Sequence, residues 1–423
     1  MKQRTRLLTL FSIVCLLGLL TCGSATATDI PLVINNGNIT ITATDENNIQ
    51  VVQENGNSAN YAIADTVIVI SQTNSATALT DRIIRVDSGN IVTTNPIQIQ
   101  IQNLNLSPAA TSPFALTNGA NVKLILDGTN NVLQGGTNSN RAGQAGLNVP
   151  EGCEILITSP GTDRKKLSAM GGTSGISNSG GGGSGIGGNG GEYVANQNQG
   201  ENSGIIKIES AFITAKGGMG ADGGGGGIGG GGSGNFGVGG NGNSITIIDS
   251  EIYATGGGSD NYYGGGGGGV GGGGGCYNSG GDGNSITITD SEIYAMSGGG
   301  TGGGIGGGGG GGGGGSNISS GNGGSGTGIQ ISGVNTDIIV LTGGIGGGYG
   351  GAGSIPGSNG IGSTIVESGN VLIFNENHAG NLFYDSEGNN KKEIHPITFS
   401  VMDNSNSKTK LSEIGRASCR ERV

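Results

Sequence analysis

SITITDSEIYA, from Ser285 to Ala295, is the stretch on which the fold turns. It recurs as SITIIDSEIYA from Ser244 to Ala254, and a looser copy, IIKIESAFITA, runs from Ile205 to Ala215. The closing alanines of the three copies lie 39 and 41 residues apart. A unit of that length cannot bury its own apolar face, so the copies must stack on one another. Strand alternation puts Ile286 and Ile288 on one face and Thr287 on the other. Asp290-Ser291 breaks the strand at a corner, after which Ile293 and Ala295 point inward and Tyr294 outward. Isoleucine stacked on isoleucine predicts an all-β parallel β-helix, or β-solenoid, with long glycine-rich loops over residues 118–385.

The copies are separated by glycine runs that each carry one aliphatic residue: Ile186, Ile228, Val270, Ile305 and Ile345. One anchor per copy fits a coil wall pinned to a core by a single side chain. The run Gly306 to Gly315 admits two readings, a loose loop or a polyproline-II-like segment packed backbone to backbone. The loop is preferred. A divergent fourth copy begins at Ile329, and residues 364–385 read as a last coil.

Outward from the repeats, residues 28–117 are rich in Asn and Thr, with short alternating runs such as TVIVI (Thr66 to Ile70) and IQIQI (Ile97 to Ile101). Period-two runs bounded by Asn, Gly, Asp and Ser are strands, and they suit a sandwich or the opening coils and cap of a solenoid. From Asn118 a strand, a turn at Asp127-Gly128 and a second short strand follow. NVPEGCEILITSPG (Asn148 to Gly161) repeats that logic. Residues 386–412 read as a linker and the start of a further β domain. Residues 413–423, EIGRASCRERV, resemble a translated sequencing adapter and are set aside, which makes residue 412 the end of a truncated protein.

The first 27 residues read as a secretory signal: Lys2, Arg4 and Arg6, then an apolar run from Leu7 to Leu20, then the small-x-small site Ala25-Thr26-Ala27. A lipoprotein reading through Cys22 is disfavoured by Thr21 before it. Export to the cell surface or medium follows, with no transmembrane segment in the mature chain. Of five cysteines, only Cys153 and Cys276 lie outside the signal and the tail, too far apart in repeat order for a disulfide.

The 423 residues include 98 glycines, no tryptophan and 4% aromatics, so the β-branched segments must supply the core. The formal net charge is −11. That balance excludes nucleic acid and anionic membrane as partners, since phosphate binding needs a basic footprint. It is compatible with calcium or neutral glycans.

LILDG, GLNVPEG and ILI followed by repeated ITI-xxS-xIYA-GG blocks resemble secreted surface proteins of anaerobic bacteria that carry glycine-rich carbohydrate-binding β-helix domains. Those domains are similar in fold to polysaccharide lyases. The resemblance spans residues 118–385 and implies a polysaccharide or cell-surface glycan as partner. Where the family's GAGIGGG block has Ala, this chain has GSGIGG, GGGIGGGG and GGGVGGGGG.

Candidate chemistry is sparse. Both histidines, His378 and His395, follow the repeats, and Lys207 and Lys216 are the basic residues between Gly171 and Gly360. A lyase of this fold needs an Arg or Lys base beside a calcium cluster, so a non-catalytic protein is expected, with polysaccharide lyase a minor alternative. For calcium, the candidates are Asp249, Glu251, Asp290 and Glu292 at the repeat corner, and Asp222 in GGMGADGGG. A solvated turn is the preferred reading of the corner acids. No motif requires a cofactor. For glycan, Tyr253 and Tyr294 occupy one repeat position and would stack, with Tyr262, Tyr263, Tyr277 and Tyr349 on the glycine loops and Thr246 and Thr287 outward on the Ile-Thr-Ile strands. Ring faces with polar neighbours grip sugars; a cross-strand pair that only stabilises a sheet is the competing reading. Two threonines with Lys207 in the third copy make no regular ice-binding array. A purely structural surface spacer is the alternative to glycan binding or adhesion.

Overall fold

Each turn of the chain lays one strand on each of three walls, and the walls grow by parallel pairing from turn to turn. The computed structural model describes residues 28–174, 180–193, 198–260, 263–299, 301–312, 320–333, 336–352, 355–366, 371–375, 400–402 and 408–410. Residues 1–27, read as a secretory signal, Tyr262, both histidines and the tail 413–423 lie outside them. The chain divides into two units, residues 1–378 and 379–423. In the second, the described residues form one antiparallel pair, Ser400–Met402 with Lys408–Lys410. Among the described residues no helix is long and apolar enough to cross a membrane.

The first unit is an all-β parallel solenoid with walls of ten, eight and eleven strands. Thr66–Ser71 and Ile97–Gln102 pair in parallel in the same wall as Asn121–Asp127, so the Asn/Thr-rich region forms opening coils. Its start is a cap in which Asn48–Gln53 pairs antiparallel with Ile39–Ala43 on one side and with Asn57–Ala62 on the other. These antiparallel strands end the eleven-stranded wall, with Asn57–Ala62 as its edge strand.

The repeat builds the walls as its alternation requires. Ile206, Ile245 and Ile286 stack in register, as do Ile208, Ile247 and Ile288, and all six are fully buried. On the next wall Ile213, Ile252 and Ile293 stack, beside Ala215, Ala254 and Ala295. The corner between these walls is left-handed, with φ of +51° at Ser210, +46° at Asp249 and +48° at Asp290. It is closed by a serine ladder: the Ala211 N–H donates to Ser250 Oγ at 3.2 Å, and the Ser250 N–H to Ser291 Oγ at 3.1 Å. Each serine hydroxyl donates in turn to the carbonyl two residues back, at 2.7 Å.

The third wall narrows to two residues per turn. Its column runs Phe114, Leu147, Ile186, Ile228, Val270, Ile305 and Ile345, which places every predicted anchor in one file. From Ile186 onward the next residue is a glycine at φ between +121° and +135°, a backbone that only glycine adopts freely. Cys153 and Cys276 are buried free thiols.

Where the third wall narrows, glycine takes over. The run Gly306 to Gly312 is no loose loop, contrary to the sequence reading: all seven residues are buried. In the turn containing Val270, four short runs, residues 256–258, 264–269, 271–275 and 280–283, lie side by side. Gly267 N–H donates to Gly257 O at 2.9 Å, Gly265 N–H to Gly275 O at 2.7 Å, and Gly281 N–H to Gly273 O at 2.8 Å. Successive amides of one run point to different neighbours. Gly272 donates to Gly306 of the next turn, Gly273 to Gly240 and Gly274 to Gly224 of the preceding turn, and Gly275 again forward to Gly309. A direction that returns every third residue, without bonds inside the run, is the signature of a polyproline-II-like helix. Stacked turns therefore make a backbone-on-backbone bundle alongside the solenoid. The spacing explains the composition: a Cβ on Gly267 would lie 2.2 Å from Gly225 O, and one on Gly308 2.0 Å from Gly273 O.

Candidate functional site

The outer face of the eight-stranded wall carries two adjacent columns. One reads Lys166, Phe212, Glu251, Glu292, Asp337; the other Ser168, Thr214, Tyr253, Tyr294, Ile339. Tyr253 and Tyr294 occupy the same position one turn apart, as their spacing predicts. Their rings stack at 4.5 Å between centroids and 3° between planes. Phe212 extends the stack at 5.6 Å from Tyr253, and Lys166 Nζ lies 5.5 Å from the Phe212 centroid.

The carboxylates are tied to the rings. Tyr253 donates its hydroxyl to Glu251 Oε1 at 3.0 Å, and Tyr294 donates to Glu292 Oε1. Burial, and then donation to an anionic partner, push the Tyr253 phenol up to about 12 and raise that of Tyr294 as well. Asp337, next in the acid column, is raised by burial and by the charge of Glu292. The rings thus cover one another's faces and present their edges, with Tyr253 36% exposed.

The other sequence candidates fall elsewhere. Thr246 and Thr287 are half-buried on the ten-stranded wall, in the file Lys207, Thr246, Thr287, Gln330, across the corner from the tyrosines. Asp249 faces Arg164 at 2.7 Å and Ser210 at 2.8 Å, and these two donors hold its carboxyl below the usual range. Asp290 sits at the left-handed corner. Asp222 is 1% exposed inside the glycine layers, where Oδ2 accepts the Gly180 N–H at 3.2 Å and Oδ1 meets Cys276 Sγ at 3.5 Å. The five acids named for calcium are thus spread over three places. Among the described residues no group of three or more His, Cys, Asp or Glu is arranged to hold a metal ion.

Three features escaped the sequence reading. The buried serine ladder lay hidden in what read simply as a corner. GNGNS and GDGNS are also ladders: Asn241 Oδ1 accepts the Asp282 N–H at 2.7 Å, and Asp282 Oδ1 accepts the Ser325 N–H at 2.6 Å. Likewise Asn243 Oδ1 accepts the Asn284 N–H at 3.0 Å, and Asn284 Oδ1 the Thr327 N–H at 2.7 Å. The third is Phe236, which stands 41 residues before Tyr277 at the same repeat position, so the repeat offset was the signal that finds it. Phe236 and Tyr277 stack at 4.7 Å, and Tyr277 and Tyr263 at 4.8 Å, where the glycine runs turn back.

No family model, no curated protein and no solved structure matches the chain.

Proposed function

We propose that the chain is exported and acts at a bacterial cell surface, or in the medium, as a non-catalytic carbohydrate-binding or adhesive β-solenoid. The observation that carries this reading is the Tyr253–Tyr294 stack with Glu251 and Glu292 beside it. Aromatic CH edges and carboxylate oxygens in one strip offer apolar contact together with acceptors for sugar hydroxyls. The acid column and the net charge of −11 favour neutral glycans over polyuronates. The N-terminal signal pattern supports export.

A glycan array probed with the full chain and with Tyr294→Ala is the test. Binding to neutral glycans that the variant loses is expected; an array without hits from correctly folded protein sinks the reading. A structural surface spacer is the second reading, favoured by one fact: the two tyrosine faces are 4.5 Å apart and so already occupied by each other.

A further inference from the structure

The tips of the glycine runs carry a second stack, built on a less favourable backbone than the first. Phe236, Tyr277 and Tyr263 form a continuous pile, with interplanar angles of 18° and 23°. The Tyr277 N–H donates to the Tyr263 carbonyl at 3.3 Å, fixing the two tips together. Phe236, at the end of the pile, is 57% exposed, the largest exposure of any aromatic among the described residues. Asn235 precedes Phe236 and Asn278 follows Tyr277 in sequence, and Asn278 Oδ1 accepts the Ser279 N–H at 2.9 Å.

The backbone makes these residues unexpected. Phe236 has φ +58° and Tyr277 φ +51°. A bulky residue there is an outlier, and glycine would adopt the same turn without strain. In a chain with 98 glycines, these two left-handed positions carry aromatics instead. Strain held at an exposed position, together with apolar surface left in water, points to use rather than to stability.

We infer that the Phe236–Tyr277–Tyr263 pile is a binding platform for the pyranose rings of a neutral polysaccharide, distinct from the Tyr253–Tyr294 strip on the eight-stranded wall. It rests on the carbohydrate reading above and locates a second station for the same polymer. Pyranose CH faces lie against aromatic rings, while amide groups bond the equatorial hydroxyls. The acidic chain repels polyanions, which leaves neutral polymers as the occupant.

Affinity gel electrophoresis of the full chain through a soluble β-glucan, a galactomannan and, as anionic control, polygalacturonate tests this. The variants are Phe236→Gly and Tyr277→Asn, both compatible with the left-handed turn, with Tyr294→Ala as the control on the wall. Retardation by a neutral polymer is expected to weaken roughly tenfold in each tip variant, while the melting temperature holds or rises. Retardation lost in Tyr294→Ala but unchanged in both tip variants overturns the platform and leaves the carbohydrate reading standing. No retardation of the parent by any polymer overturns both. If the tip variants abolish self-association in sedimentation and leave retardation unchanged, the pile is a contact between copies and the inference fails.

Discussion

Not all glycines of the bundle are equivalent, and the file two residues before each anchor from Leu147 to Ile305 shows it. It reads Ala145, Ser184, Gly226, Gly268 and Gly303. A Cβ on Gly226, Gly268 or Gly303 would come no closer than 3.1 Å to any neighbour, whereas one on Gly267 would meet Gly225 O at 2.2 Å. The buried Ala145 and Ser184 prove that this file holds a Cβ. Gly226→Ala is therefore expected to stabilise by about 0.4–1 kcal/mol through the unfolded chain. Gly267→Ala, one residue before the same file in the next turn, should cost about 1–3 kcal/mol or prevent folding. Denaturant unfolding of the two variants checks the contrast. Gly226, Gly268 and Gly303 thus stand at places in the bundle where a methyl group fits. The sequence could not reveal this, because a residue without a side chain gives no sign of what its backbone touches.

At the scale of the element, the wall strands were legible and their corner was only half so. Ile286, Thr287 and Ile288 alternate as read, and Asp290-Ser291 does end the strand, because hydrophobic alternation depends on side chains that the sequence names. The serine's role depends on register, since Ser250 Oγ is useful only when Ala211 of the preceding turn lies beneath it. Ser250→Ala strips the buried Ala211 N–H of its acceptor and is expected to cost about 1–3 kcal/mol, measured as a lower denaturation midpoint at unchanged slope. Ser250→Thr keeps the oxygen and should recover part of the loss. The same dependence on register governs the candidate strip. Stacking of Tyr253 on Tyr294 followed from the 41-residue spacing, but the capture of each hydroxyl by a glutamate two residues earlier did not. Thr246 and Thr287 were grouped with the tyrosines because both face outward. The corner turns them onto another wall.

Over the whole molecule, the parallel solenoid was readable because a stacked repeat leaves few alternatives. The glycine bundle beside it was not, because runs that lack side chains look the same whether packed or loose. Its packing has a thermodynamic consequence. Backbone layers joined by amide hydrogen bonds bury peptide groups with almost no apolar side-chain area, and exposing peptide lowers the heat capacity while exposing apolar surface raises it. Unfolding of this chain is therefore expected to show a heat-capacity increment per residue below the about 12–15 cal/mol/K of ordinary globular domains. Scanning calorimetry measures it directly, and an increment at or above that range would contradict the packed bundle. A small increment flattens the stability curve, so this protein should lose little of its stability either on cooling or on moderate warming.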